Sequence, residues 1–89
     1  MNHNTDTIYQ PTIYQYANII IDISHESVDK TFQYRIPDHL LGQVEAGQQV
    51  YIPFGAGSHK RKGYVVELTD QAEYDISKIK EIDSLVEGS

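Results

Sequence analysis

Cysteine is absent, which removes disulfide staples, thiolate zinc sites and a catalytic thiol together. The absence is compatible with a reducing compartment. Tryptophan is missing too, and no apolar run approaches the roughly 18–20 residues that span a bilayer as a helix. Basic charge is scarce: 7 Lys and Arg stand against 13 Asp and Glu, a formal charge of −6. That balance argues against wrapping a long stretch of nucleic acid by counterion release, so any DNA contact must be local. The start Met1-Asn2-His3-Asn4-Thr5-Asp6 lacks the basic region and apolar stretch of a signal peptide. The expectation is a soluble, unexported, cytoplasmic chain with no membrane partner.

What is present points to strands. At 89 residues the chain falls below the usual domain of about 100–150, so a single core is expected. A core of that size leaves little spare stability for a deep, strained active site. Seven tyrosines against two phenylalanines suit half-wet pleated surfaces better than a stacking platform.

Residues 1–16 carry a short echo, Ile8-Tyr9-Gln10-Pro11 and Ile13-Tyr14-Gln15-Tyr16, and read as a flexible tail or an added edge strand interrupted by Pro11. The pattern then sharpens. Ile19, Ile21 and Ile23 share one face of a first strand, opposite Asn18, Ile20 and Asp22. After a polar loop over 24–30, Phe32, Tyr34 and Ile36 alternate with Thr31, Gln33 and Arg35 until Pro37. Asp38 is placed to cap one helical turn through Leu40 and Leu41, and Glu45-Ala46-Gly47 to turn the chain into a third strand with Val50 and Ile52 on one face.

Residues 55–62 read as a loop by composition. Gly63 to Leu68 resumes the strand pattern, with Tyr64, Val66 and Leu68 aligned, and completes a hairpin. A helical turn from Asp75 and a closing strand are expected last. Short strands separated by turns, without a long amphipathic helix, indicate an all-β fold, a small antiparallel β-barrel of the OB or SH3-like kind with one or two helical turns.

Few motifs carry chemistry. The glycine-rich loop has neither Walker spacing nor Gly-x-Gly-x-x-Gly before a helix, so its reading is a sharp turn at Gly55 whose bare backbone also admits a ligand. His59-Lys60-Arg61-Lys62 is the one basic run; at a hairpin tip Lys60, Arg61 and Lys62 would meet phosphates, unless the run is simply solvated. His3, His25, His39 and His59 show no ligand spacing, and the nearness of Asp22, Ser24 and His25 in sequence does not make a triad. Glu81, Asp83 and Glu87 beside Lys78 and Lys80 are expected to form exposed ion pairs. On periodicity alone Phe32 belongs to the core.

Three segments together change that last reading. Lys30-Thr31-Phe32-Gln33-Tyr34-Arg35-Ile36-Pro37, then Ala46-Gly47-Gln48-Gln49-Val50-Tyr51-Ile52-Pro53-Phe54-Gly55, then Gly63-Tyr64-Val65-Val66 resemble the N-terminal segment of the primosomal protein N-prime (PriA) replication-restart helicases. The resemblance covers about residues 17–87. It implies a 3′-end DNA-binding domain over 17–87, a tail or edge strand over 1–16 and a boundary remnant at 88–89.

In such a domain a small β-barrel holds the terminal nucleotide of the nascent leading strand at stalled or branched forks, and so orients an attached helicase for replication restart. The resemblance places the pocket at Phe32, Gln33, Gly55 and Lys80. Phe32 would stack on or wall in the terminal base, Gly55 would let the backbone approach it, and Lys80 would neutralise the last phosphate. Gln33 stands where several family members carry an acidic residue that accepts from the 3′ hydroxyl; a neutral amide oxygen is an acceptor of roughly half the strength.

No catalysis and no cofactor are expected in this chain, since the ATP-driven motor and the zinc sites of such helicases lie downstream. The implied partners are DNA, the rest of the helicase chain, and, through the full-length protein, single-strand-binding protein and other primosome proteins. A rival from another class is a protein-interaction barrel whose acidic surface docks a basic partner, or the rest of its own chain, without touching DNA.

Overall fold

The structure, a computed structural model, describes residues 13–21, 30–55, 57 and 59–88. The readings of residues 1–12, of Asp22 to Asp29, and of His3, Ser24 and His25 lie outside the described residues. Among the described residues five strands form one antiparallel sheet: β1 (Tyr16–Ile21), β2 (Phe32–Arg35), β3 (Gln49–Pro53), β4 (Lys60–Thr69) and β5 (Ser84–Leu85), in spatial order β2-β1-β4-β3-β5. Two 3-10 turns, Asp38–Leu40 and Ile76–Lys78, are the helical elements among the described residues. The all-β expectation holds.

The sheet brings its outer strands toward each other. Arg35, at the end of β2, donates its N–H to the Lys80 carbonyl at 2.8 Å and accepts from the Ile82 N–H at 3.0 Å. Asp83 then donates to Tyr51 of β3 at 2.8 Å, and β5 pairs with β3. Residues 80–83 thus join the β2 edge to the opposite side of the sheet through one parallel bridge, Arg35 with Glu81. The side chains of Arg35 and Glu81 form an ion pair over that bridge.

One core fills the interior. Ile19, Ile52 and Val50 are fully buried and Ile21 and Ile82 nearly so, as period-two alternation requires of strands with one dry face. Asn18, on the other face of β1, is buried as well. A register shift between Asn18 and Ile19 occurs where β1 pairs with β4, and the Asn18 amide donates to Glu67 at 2.9 Å and accepts from Gln33 at 3.3 Å.

Four expectations are corrected. Lys60, Arg61 and Lys62 lie on β4, not on a loop tip, because antiparallel pairing with β3 runs on to Pro53 opposite Lys60. Tyr64 and Val66 do align, on the outer face, but the register shift against β1 sets Leu68 opposite buried Ala17 and against the core; Gly63 and Val65 point inward, where Gly63 packs against Ile19 and Ile52. The first 3-10 turn has extended Pro37 at its cap position and no side-chain cap, so Asp38 is its first residue rather than its cap. Finally, Glu81 and Asp83 pair with Arg35 and Lys60 across the sheet instead of with Lys78 and Lys80.

Candidate nucleic-acid interface

One open cavity of about 520 Å³ lies where β2, the turn after β3 and the segment 74–80 meet. It collects Phe32, Gln33, Gly55 and Lys80, which three separate stretches of sequence supply. β2 delivers Phe32 and Gln33. Pro53, which ends β3, and Gly55, which has φ of +77°, turn the chain back toward β4 and leave backbone without a side chain at the cavity edge. The link from Arg35 to residues 80–82 brings Lys80 alongside.

Phe32 is half-buried, in agreement with neither a pure core nor a free platform. Its ring meets Phe54 edge-to-face, centroids 5.2 Å apart at 80°, and the Lys30 ammonium stands 5.2 Å from its centroid. Such contacts hold an aromatic ring in one orientation. Lys80 donates from Nζ to the Gly55 carbonyl at 3.1 Å across the cavity mouth.

Gln33 is 8% exposed and spends its amide on protein partners. Nε2 donates to the Asn18 side chain at 3.3 Å and to the Gln71 carbonyl at 3.2 Å, while Oε1 accepts the Glu73 N–H at 2.8 Å. Both N–H bonds and one of two acceptor positions are therefore occupied. Beneath the cavity, buried Tyr34 donates its hydroxyl to the Pro53 carbonyl at 2.6 Å, and burial pushes its pKa up to about 12.

Sequence reasoning missed Lys30, Lys78, Phe54, Tyr74 and Asp75, all of which line the cavity. Phe54 and Lys30 had a signal, since each lies within one of the resembling segments. Tyr74, Asp75 and Lys78 had none, because only the tertiary path of residues 70–80 carries them there. Three lysines around one opening concentrate positive charge locally in a chain of net charge −6. Asp75 is held below the usual carboxylate range by hydrogen bonds from the Ser77 hydroxyl and N–H.

The other basic run stands apart. None of Lys60, Arg61 and Lys62 lines the cavity; Lys60 is paired with Asp83 at 2.9 Å, and the Lys62 ammonium lies 6.0 Å from the Tyr51 ring centroid. Among the described residues no His, Asp and Glu cluster suits a metal ion, and no helix is long and apolar enough to cross a membrane.

The family model for the 3'DNA-binding domain (3'BD) of PriA matches residues 18–89. The replication restart protein PriA of Bacillus subtilis (strain 168) is 33% identical over 72 residues, 81% of this chain. The match spans 9% of that relative's length.

Proposed function

The chain belongs to the 3'DNA-binding domain family of PriA, and on that premise we propose that its cavity holds the 3′ terminal nucleotide of a DNA strand, the nascent leading strand at a stalled or branched fork. The observation that carries this reading is the convergence of Phe32, Gln33, Gly55 and Lys80, distant in sequence, on one lysine-rimmed cavity.

Each residue has a physical task there. Phe32, steadied by Phe54 and Lys30, offers an apolar wall to a base, a contact worth about 1–3 kcal/mol that tolerates any sequence. Gly55 presents open backbone, with nothing within 4 Å of where a Cβ would stand. Lys80 exchanges its carbonyl contact for the last phosphate, and Lys30 and Lys78 add to the local field. Gln33 acts chiefly from beneath, by holding residues 71 and 73 to β2. Arg61 and Lys62, exposed along β4, would meet phosphates of strand lying beyond the cavity.

Joined to a helicase motor, such a domain would seat the motor at a fork by its free 3′ end and so serve replication restart, with single-strand-binding protein and other primosome proteins as partners of the whole. The domain itself performs no chemistry in this reading. Fluorescence anisotropy with oligonucleotides ending in a 3′ hydroxyl or a 3′ phosphate tests it. Tighter binding of the hydroxyl end is expected. Equal binding of both ends would remove the end-recognition role, and no binding at all would favour the docking-barrel rival.

A further inference from the structure

We infer that Asp75 is the residue that reads the free 3′ hydroxyl, as the anionic acceptor inside the nucleotide cavity. This rests on the proposed function and names a determinant within the same site.

The inference follows from which of the cavity's side-chain acceptors carries charge, the neutral ones being partly engaged already. The Gly55 carbonyl accepts from Lys80. Gln33 Oε1, a neutral acceptor, already takes the Glu73 N–H in one of its two positions, and the neutral Tyr34 hydroxyl is turned to donate to the Pro53 carbonyl. Asp75 is the one anionic side chain among the described residues that line the cavity. Its Oδ1 accepts from the Ser77 N–H at 3.0 Å and the Ser77 hydroxyl at 2.8 Å, which fixes the carboxylate orientation. Oδ2 has no protein partner among the described residues, and it is the oxygen left to accept from a ligand.

A carboxylate beside three lysines weakens phosphate binding unless it does something else. Capping the 3-10 turn at Ile76–Lys78 does not require the charge, because Asn or Ser caps as well. A charged acceptor in this place favours a terminal hydroxyl, which donates to it, and repels a strand that continues into another phosphate. Gln33 then acts as a positioning residue: its two bonds to the main chain at Gln71 and Glu73 hold the segment that carries Tyr74 and Asp75 to the cavity.

The experiment compares wild type with Asp75→Asn and Asp75→Ser, whose new residues keep the cap, on oligonucleotides ending in a 3′ hydroxyl, a 2′,3′-dideoxy sugar or a 3′ phosphate. Wild type is expected to prefer the hydroxyl over the dideoxy end by roughly three- to tenfold, the size of one charge-assisted hydrogen bond at an exposed site. Both variants should lose that preference, bind the dideoxy end at least as tightly as wild type does, and gain most on the 3′ phosphate. Hydroxyl preference retained in both folded variants would overturn the role of Asp75 while leaving the cavity as an end-binding site. Failure of wild type to bind any of the three oligonucleotides would overturn the proposed function and this inference together.

Discussion

Lys80 Nζ donates to the carbonyl oxygen of Gly55 at 3.1 Å, joining the segment before β5 to the turn between β3 and β4 across the mouth of the cavity. The bond is exposed, so water competes with it and its net contribution to folding is small. Replacing Lys80 with Ala should therefore leave stability within about 0.5 kcal/mol. On single-stranded DNA the same change should lower affinity and reduce the slope of log K against log salt by about 0.7, the signature of one lost phosphate contact. Titrations at several salt concentrations would check both the loss and the slope.

Gln33 gives a different expectation because its amide is buried and holds three partners. Gln33→Ala leaves the Glu73 N–H and Gln71 carbonyl without their partner, at a cost of about 1–3 kcal/mol. Hydrogen exchange should report the change locally: the Glu73 amide should exchange faster while amides of β1 and β4 keep their protection. Unchanged exchange at Glu73 would show that the segment is held by other contacts.

The contrast between those two residues shows what the sequence could and could not convey. Strand alternation was legible wherever one face is dry, as at Val50 and Ile52, because burial imposes a period of two. It misled at Tyr64 and Val66, where two large residues face outward and a glycine faces in, since hydropathy cannot see that Ile19 and Ile52 already fill the space inside Gly63. The basic run read as a loop because composition carries no information about pairing with β3. Within the cavity, Phe32, Gln33, Gly55 and Lys80 came from a resemblance between whole segments. Asp75 and Tyr74 depend on the course of residues 70–80, which long-range hydrogen bonds to Gln33 determine.

Gly63 offers a direct test of the packing. A Cβ there would stand 2.5 Å from Ile19 Cγ2 and 3.1 Å from the Ile20 carbonyl oxygen. The first atom belongs to a fully buried β-branched side chain with little freedom to move, and the second is main chain. Gly63→Ala should destabilise the fold by about 1–3 kcal/mol, read from the denaturant midpoint at constant slope.

Tyr34 links stability to pH. Its folded pKa, raised by burial to about 12, lies above the ordinary value of 10.0. The neutral phenol is thus favoured in the folded state, and its contribution is fully present below about pH 10 and lost as pH rises through about 12. Tyr34→Phe should remove this alkaline component. At neutral pH the same variant should cost about 1 kcal/mol, because the Pro53 carbonyl loses its donor. Urea melts from pH 8 to pH 11 on both proteins would separate the two effects.

The central claim is that a terminal nucleotide occupies the cavity, and a crystal structure with a short oligonucleotide bearing a free 3′ hydroxyl tests it most directly. The account predicts the last base against Phe32, its sugar beside Gly55 and its phosphate within reach of Lys80. A nucleotide bound elsewhere, for example along the exposed run Lys60 to Lys62 of β4, with the cavity empty, would contradict it.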